Sequence, residues 1–268
     1  MLRLGDWKMR IDTQPFWHAV IDDFLDEADA TRLADEAFPP LDDPGWIRYD
    51  NPIEIKSART DGAREYLDLV KSPEFVEIVR RVSGMPDIFC DPTMHGAGLH
   101  CHSRGGKLDV HLDYSIHPIT GKERRLNLVL YLNREWTWNG DLEFWTDDAC
   151  SHRIAPLFNR GVMFETGDAS WHGMPAPLTC PEDVARESIA AYYVSEPRPG
   201  ATPRPKAFFR PLPDQSVPDG LRKLYAIRGE RTISPEDIEA LYPAWRTDVA
   251  NGEGYWILPQ KKIKQRAS

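Results

Sequence analysis

The residues best suited to chemistry in this sequence are His111, Asp113 and His172. His111-Leu112-Asp113 sets an imidazole and a carboxylate two positions apart, and in a strand such side chains point to the same face, so both can reach one metal ion. The pattern alone is weak: eight histidines and 25 aspartates in 268 residues give about 0.75 chance His-x-Asp matches. Its context raises it. A candidate strand over Gly161 to Phe164 leads through the turn Thr166-Gly167-Asp168 to His172, which can add a second imidazole. Two histidines and one carboxylate form the facial triad that holds non-haem Fe(II) and leaves positions open for reaction.

A second constellation follows His172. Arg186 and Ser188 share one face of a candidate strand over 184–194, with Ala190 and Tyr192 continuing it. A guanidinium turned into an apolar barrel requires an anionic partner, which a dicarboxylate co-substrate would supply. On the candidate strand Leu126 to Leu132, Asn127, Val129 and Tyr131 share a face and would add an amide and a phenol to the same pocket. His95, His100 and His102 read as substrate contacts or hydrogen-bonding groups rather than a second metal site. His18, His117 and His152 read as structural or surface residues. Lys107, Arg124 and Arg125 read as solvated. Tryptophans 136, 138 and 145 read as core, and Trp171, beside a candidate ligand, as a wall of the substrate pocket.

These groups need strands to hold them. From about Ile88 to Val194, short apolar or alternating stretches lie between turn clusters such as Ser103 to Gly106, His117 to Gly121 and Asn139 to Gly140, which predicts a sandwich or barrel rather than a βαβ sheet. Before this region, Phe16 to Phe24 can enter a sheet, Glu27 to Phe38 has helical apolar spacing closed by Pro39, and Ser72-Pro73-Glu74 caps a helix ending at Gly84. After Glu196 a proline-rich connector leads to Ser234-Pro235-Glu236, a second cap-and-proline start, and Lys261 to Ser268 reads as a frayed basic tail. The expected division is 1–87 as an N-terminal strand and helices packing on the core, 88–196 as the catalytic core and 197–268 as connector and helical extension, in one compact unit.

Composition limits the alternatives. A net charge of −9 with no Lys/Arg-rich stripe argues against nucleic acid and anionic membrane as partners. No apolar run approaches the roughly 18 residues of a membrane helix, and Asp6, Lys8 and Arg10 interrupt any signal-peptide core, so the expectation is a soluble cytoplasmic protein. Cys90, Cys101, Cys150 and Cys180 are too widely spaced for a CxxC site and read as unpaired thiols. The phosphate-loop, dinucleotide, GxSxG and HExxH signatures are absent.

His111-Leu112-Asp113, Leu128 to Asn133 with Trp136, Gly140 to Phe144, Trp171-His172-Gly173 and Arg186-Glu187-Ser188, in this order and spacing, resemble the 2-oxoglutarate and Fe(II)-dependent oxygenases of the prolyl 4-hydroxylase-like branch. The resemblance covers about residues 90 to 195. It implies a mainly β fold with flanking helices, a double-stranded β-helix or distorted jelly roll. It further implies iron held by His111, Asp113 and His172, and 2-oxoglutarate bound through Arg186 with Ser188 and Tyr131. The family tyrosine that precedes the first iron histidine by about ten residues is replaced here by His102, with His100 on the same face as the alternative.

The cofactors so implied are Fe(II), 2-oxoglutarate and O2. The expected reaction couples decarboxylation of 2-oxoglutarate to succinate and CO2 with hydroxylation or oxidative ring closure of a polar small molecule, such as an amino-sugar or amino-acid-derived natural-product intermediate. Because Asp113 is present, halogenation is not expected. Ser115 to Arg125 and Thr137 to Asp141 are expected to rim the mouth, with the proline-rich segment over it. The rivals are a peptidyl-prolyl hydroxylase and a non-catalytic jelly-roll binding or sensor protein.

Overall fold

The alternating stretches of the central region form two antiparallel sheets that face each other. The computed structural model describes residues 2–39, 47–48, 53–54, 60–213, 215–245 and 247; the expected basic tail lies outside the described residues. In chain order the elements are β1 (Lys8–Asp12), β2 (His18–Asp22), α1 (Glu27–Glu36), β3 (Ile47–Arg48), β4 (Ile53–Glu54), α2 (Asp61–Lys71), α3 (Pro73–Ser83), β5 (Phe89–Cys90), β6 (Gly98–His102), β7 (Leu108–Leu112), β8 (Glu123–Tyr131), β9 (Leu142–Trp145), β10 (Cys150–Ile154), β11 (Arg160–Glu165), β12 (Trp171–Met174), β13 (Arg186–Ser195), β14 (Phe208–Phe209), α4 (Asp219–Glu230) and α5 (Pro235–Leu241).

The larger sheet runs β1-β2-β11-β8-β13-β6-β4-β3, with β5 also paired to β13; the smaller runs β10-β9-β12-β7-β14. From β6 to β14 consecutive strands thus alternate between the sheets, except that β9 and β10 pair as a hairpin within the smaller one, in keeping with the double-stranded β-helix expectation. Phe16, Val20, Tyr131, Leu142, Phe144, Val162 and Phe164 fill part of the space between the sheets. On the other face of the large sheet, Leu128, Leu130, Ile189, Ala191 and Tyr193 pack with Leu33, Tyr66, Val70, Phe75 and Val79 from the N-terminal helices. The central strands β8 and β13 are therefore buried on both faces.

The local signals act as expected. The Ser72 hydroxyl accepts from the Phe75 amide at 3.2 Å, Pro73 occupies the first turn of α3, and Gly84 closes the helix at φ +70°, where a side chain would be strained. Ser234 and Asp237 form a reciprocal capping box on α5. Cys90, Cys101, Cys150 and Cys180 form no disulfide among the described residues. Among the described residues, no helix is long and apolar enough to cross a membrane. The exposed strand β1 was not anticipated: every residue in it is solvent-facing, and it is held as an edge by pairing with β2.

Candidate active site

Strands β7 and β12 are neighbours in the smaller sheet, and their register sets His172 directly opposite His111, with ring centres 4.4 Å apart. Each Nδ1 lies 2.8 Å from a carbonyl oxygen two residues earlier, Asp109 for His111 and Ser170 for His172. A carbonyl can only accept, so each Nδ1 carries the hydrogen and each Nε2 keeps its lone pair for the interior. Asp113 follows β7, with Oδ1 3.7 Å from His111 Nε2 and Oδ2 3.5 Å from His172 Nε2. All three side chains are buried, and their donor atoms lie within 4.8 Å of one another; no other such group occurs among the described residues. Two nitrogen donors and one oxygen donor on rigid backbone, with one side left open, fit Fe(II).

The carboxylate is held by its neighbours. Asp113 Oδ2 accepts from Asn127 Nδ2 at 2.9 Å and lies 3.0 Å from a guanidinium nitrogen of Arg124, while Asn127 Oδ1 accepts from Arg124 Nε at 2.8 Å. This occupies Oδ2 and leaves Oδ1 as the oxygen for an ion. Burial works against ionisation of Asp113, but the Arg124 guanidinium, followed by the two imidazoles, outweighs it and holds the carboxyl well below its usual range. Burial first, and the neighbouring His111 second, push His172 down to about 4, so its imidazole is neutral at physiological pH.

A stability profile follows. The ordinary value for His172 is 6.5 and the folded value about 4, so between these pH values the unfolded chain binds a proton that the folded chain does not. Stability of the chelator-treated protein is therefore expected to fall as pH drops from about 6.5 towards 4, and His172→Gln to flatten that slope. Denaturant titrations across the window measure both.

The larger sheet supplies the facing wall. Ser188 lies opposite Tyr131 on β8 and His100 on β6, and Arg186 lies opposite His102. The buried Arg186 donates from Nε to the Gly140 carbonyl at 2.8 Å and from Nη2 to the Tyr131 hydroxyl at 3.2 Å. His100, His102, Asn127, Tyr131, Arg186 and Ser188 line one cavity of about 330 Å³ together with His111, Asp113 and His172. Nine of the ten site residues expected from sequence are thus brought together. The tenth, Trp171, does not line this cavity. It neighbours His172 in a strand, so it points the other way, where the Arg210 guanidinium lies 4.2 Å from its ring centre.

Two placements differ from expectation. Asn127, expected at the co-substrate, is spent on the Asp113 carboxylate. Arg124, expected in solvent, is buried and ion-paired to Asp113, with its guanidinium 3.4 Å from the Tyr192 ring centre. The cause is an irregularity where β13 pairs with β8: Tyr193 pairs with Leu126 but Val194 with Arg124, so one residue is skipped. Simple alternation from Asn127 gives the inward face to Arg125; the skipped residue gives it to Arg124. Arg125 is also buried and donates to the Ser195 hydroxyl at 3.1 Å.

The expected rim differs as well. Of Ser115 to Arg125 only Arg124 lines the cavity, and none of 137–141 does; Ala207, Phe209 and Arg228, from the connector, β14 and α4, line it instead. Ser115 pins the connector, donating to the Thr202 carbonyl at 2.6 Å and accepting from the Arg204 amide at 2.7 Å. Arg204, to which sequence reasoning assigned nothing, donates to the Asp113 carbonyl at 2.6 Å and to Asp168 at 2.7 Å.

A His-Asp-His group between two antiparallel sheets of jelly-roll type, with a buried arginine across the cavity, has the donor set that could hold a non-haem iron. Residues 97–194 match the model of the 2OG-Fe(II) oxygenase superfamily. The central part of the chain is therefore similar to the 2OG-Fe(II) oxygenases. No curated protein matches the sequence. Similar solved structures include a prolyl 4-hydroxylase from Phytophthora capsici, at 19% identity and TM-score 0.45 over 66% of this chain and 58% of that one. A prolyl-4-hydroxylase from Pseudomonas putida aligns at 19% identity and TM-score 0.43, over 68% of this chain and 85% of that one. The viral collagen prolyl hydroxylase from Paramecium Bursaria Chlorella virus-1, in its 2OG complex, aligns at 14% identity and TM-score 0.45, over 66% and 95%. This chain spans less than two thirds of the Phytophthora capsici enzyme.

Proposed function

We propose that this protein couples the decarboxylation of 2-oxoglutarate to C–H oxidation of a polar small molecule, with His111, Asp113 and His172 as the iron ligands and Arg186, Tyr131 and Ser188 as the site for the distal carboxylate. The balance is 2-oxoglutarate, O2 and R–H giving succinate, CO2 and R–OH, with one oxygen atom in succinate and one in the product. Bound Fe(II) supplies the O2-activating chemistry of the class. The chain's own residues supply position. The two Nδ1 hydrogen bonds turn each Nε2 toward the interior, and Arg124 and Asn127 hold Asp113 ionised with one oxygen turned inward. Arg186 offers its remaining donors to a carboxylate in a buried setting, where a charge-assisted pair is strong. His102, on the rung of Arg186, and His100, on the rung of Ser188, border the same end.

The observation that carries this reading is the opposition of a buried arginine to the His-Asp-His group across one small cavity. The small-molecule preference rests on its volume of about 330 Å³, at the lower end of ligand pockets, and on its partial cover by Ala207 and Phe209. The test is succinate release with Fe(II), ascorbate, O2 and 2-oxoglutarate, alone and with amino acids, amino-sugars or proline peptides. Stimulation by small molecules supports the reading. Stimulation by peptides alone reassigns the substrate, and no succinate from an iron-loaded protein points to a non-catalytic binder.

Gly140 offers a separate check. It sits at φ +112°, and an added Cβ would lie 2.5 Å from Leu178 Cδ2 and 3.2 Å from Arg186 Cδ. Gly140→Ala is expected to lower the melting temperature by several degrees and to weaken 2-oxoglutarate binding, because the methyl displaces the arginine stem. Thermal melts with a 2-oxoglutarate titration measure the two effects together.

A further inference from the structure

The segment that follows β13 does more than lead to α4. Asp113 lies one residue beyond the end of β7, and Gly167 to Ser170 lie in the turn between β11 and β12, so neither stretch of backbone is held at these positions by a strand ladder. Arg204 bridges the two. Its Nε donates to the Asp113 carbonyl at 2.6 Å, Nη1 to Asp168 Oδ1 at 2.7 Å and Nη2 to the Gly167 carbonyl at 3.3 Å. All three nitrogens of the planar fork are engaged, and its rigidity fixes the spacing of the segments it joins. The Gly167 end leads on to a histidine. The Ser170 hydroxyl donates to the Gly167 carbonyl at 3.0 Å and accepts from the Gly167 amide at 2.7 Å, and the Ser170 carbonyl accepts from His172 Nδ1 at 2.8 Å. One buried guanidinium therefore braces the backbone of Asp113 against the turn that aims His172.

The brace is itself anchored. The Arg204 amide donates to the Ser115 hydroxyl at 2.7 Å, and its carbonyl accepts from the Ser115 amide at 2.8 Å. Six residues earlier, Arg198 donates to the Glu123 carboxylate from its amide at 2.8 Å and from Nε at 3.0 Å. The connector is thus tied to the core at 198 and at 204, and it runs on to Ala207 and Phe209, which roof the cavity. Arg204 lies beyond the segment matched to the superfamily. Its charge has the wrong sign to attract a metal, since a guanidinium beside the donor set repels a dication. It can favour a metal only through geometry, because donors already in place have less freedom to lose when an ion arrives.

We infer that Arg204 is a positioning residue for the metal centre: it sets the placement of Asp113 relative to His172, so the C-terminal connector contributes to metal affinity. The inference rests on the reading proposed above, in which His111, Asp113 and His172 hold the iron.

The test uses the full chain, stripped with a chelator and titrated with Mn(II) by calorimetry well below its melting temperature. Arg204→Met is expected to weaken Mn(II) binding about tenfold or more, the size typical for outer partners of metal ligands, while 2-oxoglutarate binding at saturating Mn(II) keeps its wild-type strength. Asp168→Ala removes the acceptor at the far end of the brace and is expected to weaken Mn(II) binding less. Added to Arg204→Met it is expected to change nothing further, because both act through one connection. Arg204→Lys keeps the charge without the rigid fork, so it is expected to melt closer to wild type and still to bind Mn(II) more weakly. A charge effect alone predicts tighter Mn(II) binding in Arg204→Met, and a purely structural role predicts a lower melting temperature with unchanged affinity. Either result, or additive losses in the double variant, overturns the inference. Wild type that binds no Mn(II) overturns the triad reading and the inference with it, whereas equal binding by wild type and Arg204→Met overturns the inference alone.

Discussion

Asp113→Ala is expected to lose tight Fe(II) or Mn(II) binding and to destabilise the fold in the same step. The first effect follows from removing the single anionic donor from a group whose other members are two neutral imidazoles. The second follows from Arg124. Its guanidinium is buried against Asp113 and between tyrosine rings, so deleting the carboxylate leaves a buried charge, which typically costs about 3–5 kcal/mol. The double variant Asp113→Ala, Arg124→Met removes both charges and is expected to recover much of the stability while recovering no metal affinity. Metal titration and thermal melts on the three proteins separate the roles. Wild-type metal affinity in Asp113→Ala would remove the triad assignment.

Arg186→Met carries the second large effect. The arginine spends Nε on the Gly140 carbonyl and one Nη2 bond on Tyr131, and those bonds aim the rest of the guanidinium into the cavity. Losing a charge-assisted pair in a buried site costs about 2–3 kcal/mol, so the 2-oxoglutarate concentration needed for half-maximal succinate release is expected to rise about 30- to 150-fold. Metal affinity is expected to stay unchanged, since no iron-ligand contact is altered. Tyr131→Phe removes one positioning bond and is expected to have a smaller effect in the same direction. An unchanged requirement in Arg186→Met would detach the arginine from the co-substrate.

Period-two alternation explains why most of the site was legible in sequence. His111 with Asp113, Arg186 with Ser188, and Asn127 with Tyr131 are each pairs or steps on one strand face, and strand faces survive folding. The same rule should have set Trp171 aside, since its neighbour His172 was already assigned inward. It failed at Arg124 for another reason: the register irregularity between β8 and β13 exists only when the two strands meet, and it reverses which face the arginine takes. The roof was also hidden. Phe208–Phe209 is too short to stand out as a strand, and it becomes β14 only by pairing with β7 at Leu112 and His111.

The chain's own order of residue types determined most of the central strands, the helix caps, the donor atoms and the side of each strand on which they lie, because all of these depend on neighbours within a few positions. Tertiary structure alone decided that His172 stands across from His111, that Asp113 is held by Arg124 and Asn127, and that Arg228 reaches the same cavity from the far end of the chain. Those contacts join residues 11 to more than 100 positions apart, and local periodicity carries no information about which distant strands will be brought side by side or where one of them slips by a residue.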